Sequence, residues 1–152
     1  GNLKPWRGIE KRPEIVAKLE QRLVAAVCHN RLQLLLAQAR IATSLPEQGR
    51  LAAQDMQKFV SANARDRHSW DLLGQALGLQ GDALRSLRAQ AEASALRWEY
   101  VGALDRLKSA QELARSKARA GTLSRSDEME ASIIDARLRE LERLRREQAL
   151  ER

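Results

Sequence analysis

Aromatic residues and cysteine are scarce in this chain of 152 residues. Aromatic side chains make up 3% of the composition, and Cys28 is the single cysteine. One cysteine excludes an internal disulfide, and so few aromatic side chains leave the core to leucine and alanine. We therefore expect closely packed helices that expose little aromatic surface for binding.

Helix-breaking residues and long apolar runs are also rare. The chain has three prolines and eight glycines, and no segment combines alternating polarity with the β-branched residues of a strand. This composition predicts an all-α protein. No apolar run reaches the roughly 20 residues that a transmembrane helix requires, so the sequence predicts no membrane span.

Residues of the kinds that bind metals or carry out catalysis are few and scattered. His29 follows Cys28, but neighbouring side chains point to different sides of a helix, and His68 stands alone. There is no H-E-x-x-H motif, no Gly-rich phosphate loop, and no arguable Ser-His-Asp or Cys-His arrangement. We therefore expect no catalytic residue, no metal site, no cofactor and no enzyme activity in this chain.

The net charge is +7 and is unevenly distributed. A basic balance favours acidic proteins, anionic membrane surfaces or nucleic acid as partners. Residues 97–125 hold seven bases and three acids, whereas residues 126–152 hold eight acids and six arginines. This mixture is typical of solvated helices, so we expect no tight binding to nucleic acid.

Apolar spacing between residues 70 and 110 predicts three successive helices. Gly81-Asp82 marks the turn before the second of them. Two sets of residues carry the pattern, namely Trp70, Leu73, Gly74 and Leu77 on the first helix and Ala103, Leu107 and Ala110 on the third. Small residues at fixed helical positions let neighbouring helices approach closely, as in stacked helical hairpins.

The two ends of the chain differ in character. We expect residues 1–12 to be a flexible N-terminal segment of a fragment from a larger protein. Trp6 is an apolar outlier in this segment, and we expect it to dock on the first helix. Residues 13–152 predict one helical domain, which begins with Pro13 in a first turn. Whether one helix or two pass through Cys28-His29 is left open by the pattern.

Capping signals mark two further helix starts. Ser44 and Glu47 have the spacing of a capping box, and Ser124 and Asp127 have N-cap spacing before a last helix of about 22 residues. This long helix caps the stack or pairs with another chain as a coiled coil. Capping is favoured, because a stack of hairpins must end in a helix with a polar outer face.

The pattern resembles the tetratricopeptide repeat. In that family Trp, Leu and Gly on the first helix of a hairpin are followed by Ala, a large residue and Ala on the second. Trp70, Leu73 and Gly74 match the first half, and Ala103, Leu107 and Ala110 match the second half of the next repeat. The resemblance implies an all-α stack of about six or seven antiparallel helices with a long C-terminal capping helix.

Residues 33–143 are similar to the C-terminal repeat domain of periplasmic zinc metallopeptidases, the family of the beta-barrel assembly-enhancing protease of Gram-negative bacteria. The matching residues are Trp70-Asp71-Leu72-Leu73, Gln75-Ala76, Arg88-Ala89, Ala91-Glu92, Ala103, Leu107, Asp135-Ala136-Arg137-Leu138 and Leu141. The resemblance implies a periplasmic parent protein, whose protease domain binds zinc through H-E-x-x-H.

The resemblance also implies a non-catalytic protein-interaction domain. Its expected partners are the outer-membrane barrel assembly machinery or client polypeptides, and its own protease domain. The family's register places partner-binding residues along a concave groove, namely Arg31, Leu34, Gln38, Asp71, Gln75, Arg88 and Glu92. The alternatives are a free-standing helical-repeat adaptor and, less favoured, a basic nucleic-acid binder, which a salt series would distinguish because phosphate contacts weaken steeply with salt.

Overall fold

A computed structural model describes residues 13–151 of the chain. Within those residues it shows six α-helices and no strand, which confirms the all-α prediction. The helices are α1 (Pro13–Ala42), α2 (Pro46–Ala62), α3 (Arg67–Gln80), α4 (Ala83–Leu96), α5 (Tyr100–Arg119) and α6 (Arg125–Leu150). The predictions of a flexible lead-in and a docked Trp6 lie outside the described residues. The chain divides into two units, Gly1–Leu35 and Leu36–Arg152.

Helix α1 runs without a break through Cys28 and His29, which settles the question that the sequence pattern left open. No proline or glycine lies between residues 14 and 42 to interrupt it. Every described residue of α1 up to Leu36 is exposed or half-buried, and Ala37 is the first buried one. This helix therefore contributes little to the core over most of its length.

Helices α2 to α6 form a stack of antiparallel hairpins. Each packs against the next along the chain, and α4 also contacts α6. Short turns join them, as at Gly81, whose φ of +93° is a left-handed conformation that glycine adopts readily. Asp82 then caps α4 by accepting a hydrogen bond from the backbone N–H of Arg85 at 3.2 Å.

One buried pattern of the stack recurs after 34 residues. Helix α3 buries a small, a large and a small residue, and α5 buries the same pattern 34 residues later. The two sets are Ser69, Leu73 and Ala76 on α3 and Ala103, Leu107 and Ala110 on α5. Helices α3 and α5 thus occupy equivalent positions, and the sequence pattern was wrong to place one in the first half and the other in the second half of a repeat.

Helix ends match the sequence signals at one site and depart from them at another. Ser124 and Asp127 form a complete capping box at the start of α6. At the start of α2 the N-cap residue is Leu45 instead of Ser44, and it makes no side-chain capping bond. Ser44 has a φ of +57°, which differs from the extended backbone that a capping serine needs.

The long helix α6 closes the stack. It has 26 residues, more than the sequence suggested, and its buried side chains Ile134, Leu138 and Leu141 pack in one cluster with Leu104 and Leu107 of α5. The opposite face of α6 is open to solvent. This arrangement is the one expected of a capping helix.

Candidate functional site

The predicted groove residues of α1 lie on its solvent-facing surface. Arg31 is exposed and Leu34 is half-buried, both within the unit Gly1–Leu35. Gln38 is exposed in the second unit, where its side-chain amide donates a hydrogen bond to His68 Nε2 at 3.0 Å. Their role in binding a partner stays a prediction.

The two predicted groove residues of α3 differ in burial and in hydrogen bonding. Gln75 is exposed, whereas Asp71 is half-buried and accepts a hydrogen bond from Arg97 Nη1 at 3.1 Å. Trp70 beside them is half-buried, and its indole Nε1–H donates to the carbonyl of Ala64 at 2.9 Å. Trp70 is therefore tied to the turn before α3, in line with a structural role.

The two predicted residues of α4 are already paired within the chain. Arg88 forms an ion pair with Glu130 of α6, and its guanidinium lies 6.0 Å from the centre of the Trp70 ring. Glu92 accepts hydrogen bonds from Arg137 of α6, the shortest at 2.9 and 2.8 Å. A partner that used these two side chains would compete with their ion pairs to α6.

The predicted set also spans both helices of one hairpin. Helix α3 carries Asp71 and Gln75, and its antiparallel neighbour α4 carries Arg88 and Glu92. The family's register had placed both pairs along one concave groove. A small–large–small pattern fits either helix of a hairpin, so spacing alone did not identify which helices are equivalent.

A cleft of about 620 Å³ lies between α2 and the start of α4. Its residues come from α2, from the end of α3 and from the turn that leads into α4. They are Ala53, Gln54, Gln57, Lys58, Leu77, Gln80, Asp82 and Arg85. Among residues 13–151, the amides of the three glutamines and the ammonium of Lys58 make no hydrogen bond or ion pair, so they are available to a ligand.

The chemistry of this cleft suits a polypeptide. Ala53 and Leu77 are buried and supply an apolar floor. Side-chain amides donate and accept hydrogen bonds at once, which matches the alternating N–H and C=O groups of an extended backbone. Lys58 adds a positive charge at the rim that favours an acidic side chain in the bound segment.

A second cleft, of about 460 Å³, lies on the other side of the α3–α4 turn. It shares Gln80, Asp82 and Arg85 with the first cleft and adds Leu113, Lys117 and Asp127. Arg85 stands between the two clefts. Its Nη1 lies 3.0 Å from Asp82 and 3.1 Å from Asp127, and its Nη2 donates to the Ser126 hydroxyl at 2.6 Å.

Charges around Arg85 are balanced. Arg85, Arg88 and Lys117 are the bases of this cluster, and Asp82, Asp127 and Glu130 are its acids. The hydrogen bond from Lys117 at 2.5 Å is the largest influence on Asp127 and, together with bonds from Arg85 and Ser124, it holds the pKa of this carboxyl far below its ordinary value despite burial. A carboxylate held ionised in this way is a poor proton acceptor, and the cluster serves to join α4 to α6.

Sequence reasoning missed the residues of the first cleft. The Gly81-Asp82 turn was recognised, but the polar face of α2 that carries Gln54, Gln57 and Lys58 was not singled out. The signal was the run of unpaired polar residues on α2, opposite its buried face at Ala52, Met56 and Phe59. That signal becomes specific only once α2 and the start of α4 are known to line the same cleft.

Neither the family models nor the curated proteins contain a match to this sequence. Residues 13–151 contain no group of three or more His, Cys, Asp or Glu side chains placed to hold a metal ion. None of the described helices is both long enough and apolar enough to cross a bilayer.

Proposed function

We propose that this chain is a non-catalytic protein-interaction domain of a periplasmic zinc metalloprotease, and that it binds a partner or client polypeptide. The observation that carries this proposal is the cleft between α2 and α4. It combines a buried apolar floor with three free side-chain amides and one free ammonium group. In this proposal an extended segment of the partner lies along the cleft and hydrogen-bonds to the amides.

The repeat geometry supports the same proposal. The 34-residue interval between α3 and α5 is the period of the tetratricopeptide repeat, and stacked hairpins of this kind provide extended surfaces that bind polypeptides. The parent's protease domain would supply the zinc and the hydrolytic chemistry. This chain would supply the binding surface that brings a client, or the outer-membrane assembly machinery, to that domain.

A purified client tests the binding surface. The client is an outer-membrane β-barrel polypeptide that carries a fluorescent label, is unfolded in urea and is then diluted out of the denaturant. The chain is titrated into this client, and binding is followed by fluorescence anisotropy. We expect saturable binding that Gln54→Ala/Gln57→Ala weakens about tenfold, because two hydrogen bonds of about 0.5–1.5 kcal/mol each are lost. The control is Gln21→Ala/Gln48→Ala, which removes two amides that lie outside the cleft. Equal losses in both variants would contradict the proposal.

The coding sequence upstream of Gly1 tests the periplasmic assignment. We expect an H-E-x-x-H motif behind a secretion signal. An upstream region without that motif would remove the protease and the periplasm from the proposal. A helical-repeat adaptor that binds polypeptides through the same cleft would then remain.

A further inference from the structure

Helix α4 ends in a left-handed turn that carries a tryptophan. The backbone N–H of Trp98 donates to the carbonyl of Ala95, and that of Glu99 donates to the carbonyl of Ser94, both at 3.0 Å. These two bonds form a Schellman motif, in which the residue at the position of Trp98 is left-handed and is usually glycine. The φ of Trp98 is +64°, a conformation that is unfavourable for a bulky residue.

The same motif ends α3 and α5, and there the left-handed residue is glycine. Gly81 and Gly121 have φ angles of +93° and +71°, and their turns are closed by the same pair of backbone hydrogen bonds. A left-handed backbone costs free energy for a residue that has a Cβ atom, whereas glycine adopts it readily. Trp98 therefore strains a turn that glycine would form without strain.

Packing within the fold does not account for this tryptophan. Its side chain is 70% exposed, whereas the other aromatic side chains of residues 13–151 are buried or half-buried. The sequence led us to expect little exposed aromatic surface, and Trp98 is the exception. It meets Tyr100 edge to face with ring centres 6.4 Å apart, and most of its surface stays open to solvent. Strain at an exposed residue of this kind is characteristic of functional positions.

Two other helices hold the turn in place. Gln148 of α6 donates a hydrogen bond to the carbonyl of Trp98 at 3.3 Å, and Arg97 pairs with Asp71 of α3 at 3.1 Å. A ring that is displayed on a fixed backbone loses little conformational entropy when it binds. Tryptophan is also among the residues that contribute most to the affinity of protein interfaces.

The residues that flank Trp98 in sequence favour an uncharged ligand. Arg97 and Glu99 pair with each other at 3.1 Å, so their charges offset one another. Val101, three residues further on, is 60% exposed. A neutral surface of this composition suits an aromatic or aliphatic side chain better than it suits a phosphate or an ammonium group.

We propose that Trp98 is an anchoring residue for a polypeptide partner, and that its ring packs against an uncharged aromatic or aliphatic side chain of that partner. This inference rests on the proposed function, because the partner is the same client polypeptide that binds the cleft between α2 and α4. Trp98 lies about 20 Å along α4 from the cleft residue Asp82. Two contacts at that distance engage different parts of one unfolded chain and raise its overall affinity.

Titration of the labelled, unfolded β-barrel polypeptide tests the contact. We expect Trp98→Ala to weaken binding at least about tenfold and Trp98→Phe, which keeps an aromatic ring, to weaken it less than about threefold. The control is Met129→Ala on α6, which removes a side chain of similar exposure, 66%, and should bind as the parent chain does. Equal losses in Trp98→Ala and Met129→Ala, or no loss in either, would overturn the proposal.

Melting temperatures separate a binding role from a packing role. Trp98→Gly relieves the left-handed strain, so we expect it to raise the Tm by about 2–4 °C while it weakens client binding as much as Trp98→Ala does. Gly121→Ala is the reverse change at a matching turn, where the added Cβ would meet nothing within 4 Å, and it should lower the Tm by a similar amount. A fall in the Tm of Trp98→Gly would show that the ring stabilises the fold, and it would overturn the proposal.

The same titration separates this inference from the proposed function. A loss in Gln54→Ala/Gln57→Ala without a loss in Trp98→Ala would remove the Trp98 contact and leave the cleft in place. The opposite pattern would remove the cleft and leave the Trp98 contact. A parent chain that does not bind the polypeptide overturns both. If Trp98→Ala keeps client binding but loses binding to phosphatidylcholine vesicles, the ring contacts lipid and the proposal is wrong.

Discussion

Arg137 of α6 forms a bidentate ion pair with Glu92 of α4. The guanidinium Nε lies 2.9 Å from one carboxylate oxygen, and Nη2 lies 2.8 Å from the other. Both side chains are largely shielded from solvent, at 25% and 14% exposed. This bidentate geometry is the strongest form of a side-chain ion pair, and it joins two helices that are separated by α5 in the sequence.

Breaking this pair should destabilise the fold. We expect Glu92→Gln to lower the free energy of unfolding by about 1–2 kcal/mol, between the values for exposed and buried pairs. Urea denaturation measures the loss. Glu147→Gln, which breaks the exposed pair with Arg143 inside α6, should cost no more than about 0.5 kcal/mol. Similar costs for the two variants would show that the link between α4 and α6 adds little.

Acid should weaken the fold partly through Asp127. Its pKa is lowered in the folded chain, first of all by the hydrogen bond from Lys117. The stabilisation is therefore complete above the unfolded pKa of about 3.9 and is lost progressively as the pH falls below it. We expect Asp127→Asn to be less stable than the parent chain at pH 7, and the difference to shrink below about pH 4.

Stability curves measured between pH 2 and pH 7 check this expectation. Asp105→Asn is the control, because it removes the same charge from an exposed position on α5. This control should stay within about 0.5 kcal/mol of the parent chain at every pH. A constant gap between the parent and Asp127→Asn down to pH 2 would contradict the role of the ionised carboxylate.

Local signals in the sequence predicted the helices and several of their ends. The Gly81-Asp82 turn and the Ser124–Asp127 capping box depend on residues close together in the chain, whose preferences are local. The ion pairs between α4 and α6 join residues 42 to 45 positions apart. Charged residues make up 31% of the chain. Each arginine therefore has many possible acidic partners, and the sequence alone does not identify which one the helix packing brings close.

The same reason explains why the cleft was not predicted. Gln54 and Arg85 line one cleft although they are far apart in sequence and neither belongs to a motif. Their meeting depends on how closely α2 approaches α3. That distance is set at positions such as Gly49, whose close contact with Leu79 is invisible in a single sequence.

Gly49 should not tolerate a side chain. A Cβ atom at this position would lie 2.9 Å from the Cβ and Cγ atoms of Leu79 and 3.0 Å from the carbonyl oxygen of Ala76, so α2 and α3 would have to move apart. We expect Gly49→Ala to lower the free energy of unfolding by about 1–3 kcal/mol. Gly78→Ala is the control, because its nearest neighbour would be Ser86 Oγ at 3.4 Å. That change should stabilise α3 by up to about 1 kcal/mol, and a loss equal to that of Gly49→Ala would contradict the close approach.

Helix α1 should open far more readily than α3, because its residues 13–36 bury almost nothing, whereas α3 buries six residues. A helix without tertiary contacts is only marginally stable in water. Native-state hydrogen exchange should therefore show protection factors at residues 16–30 at least about 100-fold below those at residues 72–77. Protection factors at residues 16–30 as high as those at residues 72–77 would contradict this expectation.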